Sequence, residues 1–356
     1  TGICTVNAST GVITIVTAGS CVITATKAAD TNYLVTSSSV TIAIAKGTQS
    51  ALTASVNHSA VTYLDGTAVS ASTAGGSGTG SVTYSTTSTT CSVNASTGAV
   101  TISGAGDCVI TASKAADTNY NSTTSNVTIT VAKANQSTFT AAKSSNTTYG
   151  SGTAVTISVT GGSGTGAVSY ASTSPAVCSV DSASGVITIV TAGNCYVTAT
   201  KAADANFLVE TSSVTVTIAK ATQASLTATA DHASVTYNDG VAITVTASGG
   251  SGTGAVSYST ASSACSVDSS TGVVTIATAG TCVVTATKAA DTNYLVASNT
   301  ATITIAKASQ ATFTAAKSAD TTYGSATVIT VSVTGGSGTG ATTYASGNTG
   351  ICTVNA

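Results

Sequence analysis

Cysteines are the residues of this chain most able to form covalent bonds, and their spacing is regular. Five of the nine fall at positions 4, 91, 178, 265 and 352, each 87 residues after the last, and the other four fall at 21, 108, 195 and 282 with the same interval. Every complete pair is therefore 17 residues apart. We predict one disulfide per pair, with Cys352 left without a partner: Cys4–Cys21, Cys91–Cys108, Cys178–Cys195 and Cys265–Cys282.

The side-chain alternation of β-strands supports this pairing. Successive residues of a strand point to opposite faces, so Cys91 shares a face with Val93, and Cys108 shares one with Ile110 and Ala112. Both cysteines are then expected to face the core, where two inward sulfurs can meet. Closing a loop of this size is worth roughly 3 kcal/mol in the chain-entropy model. Disulfides also indicate an oxidising location, either the cell surface or the extracellular space.

Zinc is the competing interpretation of the cysteines, and buried free thiols are another. A structural zinc site needs four ligands, whereas each repeat offers two cysteines and at most one histidine. His58 and His232 lie in segments that resemble exposed turns, and we interpret both as surface residues. We expect no metal site and no cofactor.

A glycine-rich motif, GGSGTG, recurs at 75–80, 161–166, 249–254 and 335–340. A phosphate-binding glycine loop should open a helix, but a strand-like segment such as SVTY or AVSY follows here. The spacing fits neither the dinucleotide fingerprint nor the Walker motif. We therefore predict a flexible turn that connects two strands.

A second motif, KAAD-x-N-[YF], recurs at 27–33, 114–120, 201–207 and 288–294. Its Asp and Asn favour an Asx-turn, and its aromatic ring could cover the end of the core. Calcium is an alternative, but it needs six to eight oxygen ligands and the 12 acidic residues form no cluster, so the sequence argues against it. A Lys–Asn isopeptide crosslink with Lys27 or Lys114 as donor is a further alternative, and it would need a buried acid beside the pair.

The 87-residue period divides the chain into small domains of one kind. The motif AK-x-x-Q recurs at 45–49, 132–136, 219–223 and 306–310, and we interpret it as a short, fairly stiff joint. Alternate repeats are more similar, since His58 and His232 are 174 residues apart. The predicted domains are a C-terminal half-repeat at 1–46, three full repeats at 47–133, 134–220 and 221–307, and an N-terminal half-repeat at 308–356.

Within the repeat 47–133, short runs of alternating apolar and polar residues are separated by turn signals, without any helical period. Val127, Ile129 and Val131 share one face of the last run, and Thr128 and Thr130 share the other. We predict an all-β fold, a tandem array of immunoglobulin-like antiparallel β-sandwiches. The predicted strands are 50–56, 60–63, 67–73, 81–86, 91–94, 99–103, 108–114 and 126–133.

Composition limits the function. Charged residues are 6% of the chain, the net charge is −2 and all ten basic residues are lysine, so no basic face is present for nucleic acid. No apolar run reaches the 18 or so residues that span a bilayer. Trp and Met are absent, so the core must be thin and a covalent staple would help it. No nucleophile–base pair or carboxylate dyad appears, so we do not expect an enzyme.

The segment CSVDSSTGVVTIATAGTCVVTATKAADTNY at 265–294 resembles the bacterial immunoglobulin-like (Big/MBG-type) tandem repeats of giant surface proteins and adhesins. The similarity covers about half of each repeat, including a VD-x-x-x-G-VVT stretch, an AGT-x-x-x-TAT stretch and the turn before the aromatic residue. Cys265 and Cys282 stand where that family usually has small residues, which implies a covalently reinforced variant. The resemblance implies a stalk or extender that carries an adhesive tip.

We therefore expect a structural segment of a long extracellular microbial filament, stalk or surface fibre, with neighbouring copies of the same repeat or chain as partners. One alternative is an adhesin, that is, a binding module. Another is a subunit that polymerises head to tail, in which residues 308–356 complete residues 1–46 of the next copy by strand exchange. The mid-domain ends and the unpaired Cys352 favour cropping of a longer chain over that subunit.

Overall fold

The computed structural model describes residues 2–355 and contains strands, turns and extended segments. The chain divides into two compact units. The first consists of Thr1–Thr147 and Gly152–Ile218, and the second consists of Thr148–Ser151 and Ala219–Ala356. None of the described residues forms a helix that is long and apolar enough to cross a membrane.

The three repeats share one strand order. In the repeat 47–133 the strands are β5 (Leu52–Val56), β6 (Ala60–Thr62), β7 (Val69–Gly75), β8 (Val82–Thr86), β9 (Cys91–Val93), β10 (Ala99–Ile102), β11 (Gly106–Lys114) and β12 (Thr123–Ala132). They form two four-stranded sheets with the orders β5-β7-β10-β9 and β6-β12-β11-β8. All eight strands predicted for this repeat are present, and the immunoglobulin-like sandwich is confirmed.

The second repeat contains β13 (Phe139–Lys143), β14 (Thr147–Thr148), β15 (Val155–Gly161), β16 (Val168–Ser172), β17 (Cys178–Val180), β18 (Val186–Ile189), β19 (Gly193–Lys201) and β20 (Glu210–Ala219). The third contains β21 (Leu226–Ala230), β22 (Ser234–Thr236), β23 (Ile243–Gly249), β24 (Val256–Thr260), β25 (Cys265–Val267), β26 (Val273–Ile276), β27 (Gly280–Lys288) and β28 (Ala297–Ala306). Their sheets follow the order of the first repeat.

The flanking segments contain fewer strands. Before the first repeat lie β1 (Cys4–Val6), β2 (Ile13–Ile15), β3 (Gly19–Lys27) and β4 (Thr36–Ile44), paired as β1-β2 and β3-β4. After the third repeat lie β29 (Phe313–Lys317) and β30 (Val331–Gly335), which pair with each other. Apolar residues that the repeats bury are open here: Phe313 is 55% exposed, whereas Phe139 at the equivalent position is 8% exposed.

One strand pairing differs from the predicted antiparallel pattern. Strand β6 runs parallel to β12, with Ala60 opposite Thr130. The first strand of the repeat is interrupted after Val56, and residues 57–59 carry the chain from one sheet to the other. Its second part therefore runs beside the last strand in the same direction, and the third repeat has the same parallel pair.

The core lies between the two sheets and consists of aliphatic side chains and cystine. In β12 the alternating pattern places Ile129 and Val131 inside, while Thr128 and Thr130 remain exposed. In the register of β11 and β12, Ile110 lies opposite Val127 and Cys108 lies opposite Ile129. Ile110, Cys108 and Ile129 are fully buried. The last strand begins at Thr123, three residues earlier than predicted, because its pairing with β11 continues to Lys114.

Candidate functional site

The cysteines join the two sheets of each repeat. Cys91 lies in β9 of one sheet and Cys108 in β11 of the other, and their Cα atoms are 5.8 Å apart across the bond. The structure also contains Cys4–Cys21, Cys178–Cys195 and Cys265–Cys282. Cys352 is free and exposed. In each of the three repeats the bond therefore crosses the core and ties a short edge strand to a long central strand.

The joints between repeats are polar sites in which backbone and side-chain hydrogen bonds connect the linker to the repeat that follows it. Linker residue Gly47 forms a parallel bridge with Tyr120 of the repeat that follows it. The Gly47 amide donates to the Asn119 carbonyl at 2.8 Å, and the Asn121 amide donates to the Gly47 carbonyl at 2.9 Å. Ala134 pairs in the same way with Phe207, and Ala221 with Tyr294. The linker is thus fastened to the next repeat by backbone hydrogen bonds, and the stiffness of the joint stays a prediction.

The glutamine that ends each AK-x-x-Q motif fastens the linker further. Gln136 is 8% exposed, and its Nε2 donates to the carbonyl of Leu208 at 3.1 Å. Its Oε1 accepts from the amides of Ser163 and Gly164 in the GGSGTG loop, at 2.9 and 2.8 Å. One side chain therefore connects the linker to two separate loops of the same repeat.

An aspartate holds the same two loops together. Asp204 Oδ1 accepts from the amides of Asn206 and Phe207, which confirms the predicted Asx-turn. Its Oδ2 accepts from the Thr165 amide at 2.5 Å and from the Thr165 hydroxyl at 3.1 Å. Hydrogen bonds from the Thr165 amide first, and then from Asn206 and Phe207, lower the pKa of Asp204 from 3.8 to about 2. Asp117 and Asp291 occupy equivalent places with the same lowered pKa.

The GGSGTG loop needs glycine at its ends for steric reasons. Gly161 has a φ of 82°, and a Cβ there would overlap the carbonyl oxygen of Thr138. A Cβ on Gly166 would overlap the carbonyl oxygen of Ala202, the residue after Lys201. The motif is therefore a strand connection packed against the KAAD-x-N-[YF] loop, between β15 and β16, rather than the opening of a helix.

The asparagine of KAAD-x-N-[YF] reaches back to the preceding repeat. Asn206 Oδ1 accepts from the Ala105 amide at 2.8 Å, across 101 residues of sequence. Asn119 Oδ1 accepts from the Ala18 amide in the same way, at 2.9 Å. In both cases the donor lies in the turn just before the strand that contains the second cysteine of a disulfide, which is β11 after Ala105 and β3 after Ala18. We refer to Asn119 and Asn206 as the asparagine hooks.

Aromatic and lysine contacts complete the joints. The rings of Tyr63 and Phe207 meet edge to face with centroids 5.7 Å apart, and Tyr149 and Tyr294 make the same contact at the same distance. Edge-to-face pairs of this kind contribute about 0.5–1.5 kcal/mol beyond their buried area. The Lys133 ammonium donates to the Asp204 carbonyl at 2.6 Å. The motif's aromatic residue thus lies at the joint, where it contacts the preceding repeat.

The remaining candidate residues have simple surroundings. Among residues 2–355, no three His, Cys, Asp or Glu side chains are grouped as metal ligands. His58 is exposed, and His232 Nδ1 lies 3.3 Å from Asp231 Oδ1 on the surface, so both are surface residues as predicted. Lys201, the equivalent of Lys27 and Lys114, donates to the Gly166 carbonyl at 3.2 Å. The isopeptide crosslink stays an untested alternative.

Sequence reasoning identified these motifs but missed what their side chains bind. The hook joins residues that are 101 positions apart, and no local pattern encodes such a contact. The sequence does contain one indication of these contacts, because Gln, Asp and Asn recur at fixed positions in all copies of the motifs. The two residues after the aromatic residue vary by contrast, from Leu-Val in the other copies to Asn-Ser at 121–122. Recurring polar residues on a variable loop indicate a shared structural task.

The fold and the joints together define a tandem array of immunoglobulin-like β-sandwiches whose connections are held by hydrogen bonds. No protein-family model and no curated protein matches the sequence. Among solved structures, the chain is similar to Drosophila N-cadherin EC1-3, with 15% identity, 65% of this chain and 91% of that chain covered, and a TM-score of 0.28.

Two further solved structures show the same level of similarity. Protocadherin gammaB7 EC3-6 has 15% identity over 86% of this chain and 88% of that chain, with a TM-score of 0.31. Domains 1-6 of the surface layer protein SbsC have 15% identity over 93% of this chain and 56% of that chain, with a TM-score of 0.23. These low values carry no argument about function, and the assignment of the fold rests on the strand pairing described above.

Proposed function

We propose that this chain is a structural segment of a long extracellular microbial filament, stalk or surface fibre, and not an enzyme. Its work is mechanical: repeats add length, joints limit bending and disulfides limit extension under load. The bacterial type of the repeat rests on the sequence resemblance, and the extracellular location rests on the four inter-sheet disulfides.

The joints are the observation that carries this proposal. A flexible linker between independent domains would leave its backbone solvated. Here the residue between repeats is hydrogen-bonded on both sides to the next repeat, and a side chain of that repeat bonds back to the preceding one. Such a connection resists bending, which is what a spacer requires and what an isolated binding domain does not.

The disulfides suit a chain under tension. When a repeat is pulled open, the segment between Cys91 and Cys108 stays closed, because the covalent bond bears the load instead of the residues between the two cysteines. The repeat can then lengthen by only part of its 87 residues before force passes to the next repeat. The bond also stabilises a thin core that contains no Trp or Met.

Single-molecule force spectroscopy tests this function. We expect at least three unfolding steps of equal length, one for each complete repeat. Reduction of the disulfides, whose cysteines are 17 residues apart, should lengthen each step by about 60 Å at ~3.5 Å per residue. A single unfolding event of irregular length that does not respond to reductant would contradict the proposal.

A further inference from the structure

One turn of the first repeat displays a large apolar side chain in a backbone conformation that disfavours it. Leu64 follows β6, has a φ of 64° and is 70% exposed. Left-handed backbone brings the Cβ of an L-residue close to its own carbonyl, so that glycine and asparagine are the usual occupants. Leu64 bears that conformational cost without burying its side chain.

The third repeat shows that the turn itself does not need leucine. Asn238 occupies the same position with a φ of 67°. In the first repeat the Asp65 carboxylate accepts from the amides of Thr62 and Thr67, both at 2.8 Å. Its counterpart Asp239 accepts from Thr236 and Val241, at 2.7 and 3.1 Å. The two turns therefore have the same hydrogen bonds and differ in what they present to solvent.

Leu64 lies beside a joint that exposes further apolar side chains. The residue before it, Tyr63, contacts the Phe207 ring of the next repeat. The two residues after Phe207 are Leu208 and Val209, which are 45% and 55% exposed. We call Leu64, Leu208 and Val209 the joint patch.

We propose that the joint patch binds a second copy of this chain in side-by-side association. Only 6% of the residues are charged and the net charge is −2, so two copies repel each other weakly. Leu295 and Val296, the counterparts of Leu208 and Val209 in the following repeat, are also exposed, so each copy carries a second apolar pair. Several weak contacts between two copies reinforce one another.

A lipid surface fits the joint patch less well. Asp65 directly follows Leu64, and Glu210 directly follows Val209. Carboxylates beside the apolar residues are repelled by the anionic lipids that attract basic segments. The inference goes beyond the proposed function, because a stalk can extend as a single chain.

The substitution Leu64→Asn tests the inference without endangering the fold, because it installs the residue that the third repeat already has. All proteins carry Cys352→Ser, so that the exposed free thiol cannot crosslink copies. Sedimentation velocity over a concentration series should show self-association of the parent chain. Leu64→Asn should raise the dissociation constant about tenfold or more, while the melting temperature stays the same or rises.

The matched control is Asn238→Leu, which should lower the melting temperature slightly and leave association as strong as before or stronger. The inference is overturned if the parent chain is monomeric at every concentration, or if Leu64→Asn leaves association unchanged. A lower melting temperature for Leu64→Asn would instead assign Leu64 a structural role. Co-sedimentation with phosphatidylserine vesicles that is lost in Leu64→Asn, with unchanged self-association, would assign the joint patch to a membrane and also overturn the inference.

Discussion

Asp117 shows at the scale of one residue how a joint loop is fixed by an ionised group. Its two oxygens accept hydrogen bonds from the amides of Thr79, Asn119 and Tyr120, with the Thr79 bond at 2.6 Å. Carboxylate acceptors of this kind are stabilised in the charged form, which is why the pKa of Asp117 falls to about 2. The loops therefore depend on a charge that the sequence places in each motif copy.

This dependence predicts a loss of stability in acid. Because the pKa of Asp117 is lowered from 3.8 to about 2 on folding, its contribution is complete above the ordinary value and disappears as the pH falls through about 2. In calorimetric scans we expect Asp117→Asn to lower the melting temperature at neutral pH. The NH2 group of the new side chain would face the backbone N–H of Thr79, so that two donors would oppose each other. The melting temperature of this variant should then fall less in acid than that of the parent.

Asp107→Asn is the control for that measurement, since it removes the same charge from the same repeat. The Asp107 carboxylate accepts from the Thr130 hydroxyl at 3.3 Å and takes no part in the joint loops. Equal acid profiles for the two variants would mean that net charge, rather than the loop hydrogen bonds, sets the response to pH.

At the scale of elements, the asparagine hooks connect one repeat to the next. Asn206→Ala removes the acceptor of the Ala105 amide, a neutral hydrogen bond whose net contribution is about 1 kcal/mol. We expect the Ala105 amide to exchange its hydrogen about fivefold faster, while amides of the core strands keep their protection. Hydrogen exchange followed by NMR measures both.

Asn206→Asp is the matched variant, because a carboxylate keeps an oxygen at the position of the acceptor. It should restore the slow exchange of the Ala105 amide. Equal exchange rates in all three proteins would show that the hook does not hold the joint closed.

The strands and their pairings could be predicted from the sequence to different degrees. Alternation in β12 and the phase of Cys91 and Cys108 follow from local side-chain periodicity, so the strands and the inward cysteines could be predicted. The parallel pairing of β6 could not, because a three-residue interruption looks like an ordinary turn. The contacts of Gln136 and Asn206 depend on which loops meet at one end of the sandwich, which is a property of the tertiary fold.

At the scale of the whole molecule, the joints are held together by hydrogen bonds and aromatic contacts between protein groups, and we therefore predict that they are indifferent to calcium. Calcium needs six to eight oxygen ligands, but both oxygens of Asp204 already accept protein donors, and the Asp204 carbonyl accepts from Lys133. We expect the melting temperature and the sedimentation coefficient to be the same in millimolar calcium and in a chelator. Asn206→Ala gives the positive control, since a loosened joint should change the sedimentation coefficient. A decrease in that coefficient or in the melting temperature on chelation would show that the aspartate loops bind an ion, and the joint would then have to be described as a metal-dependent one.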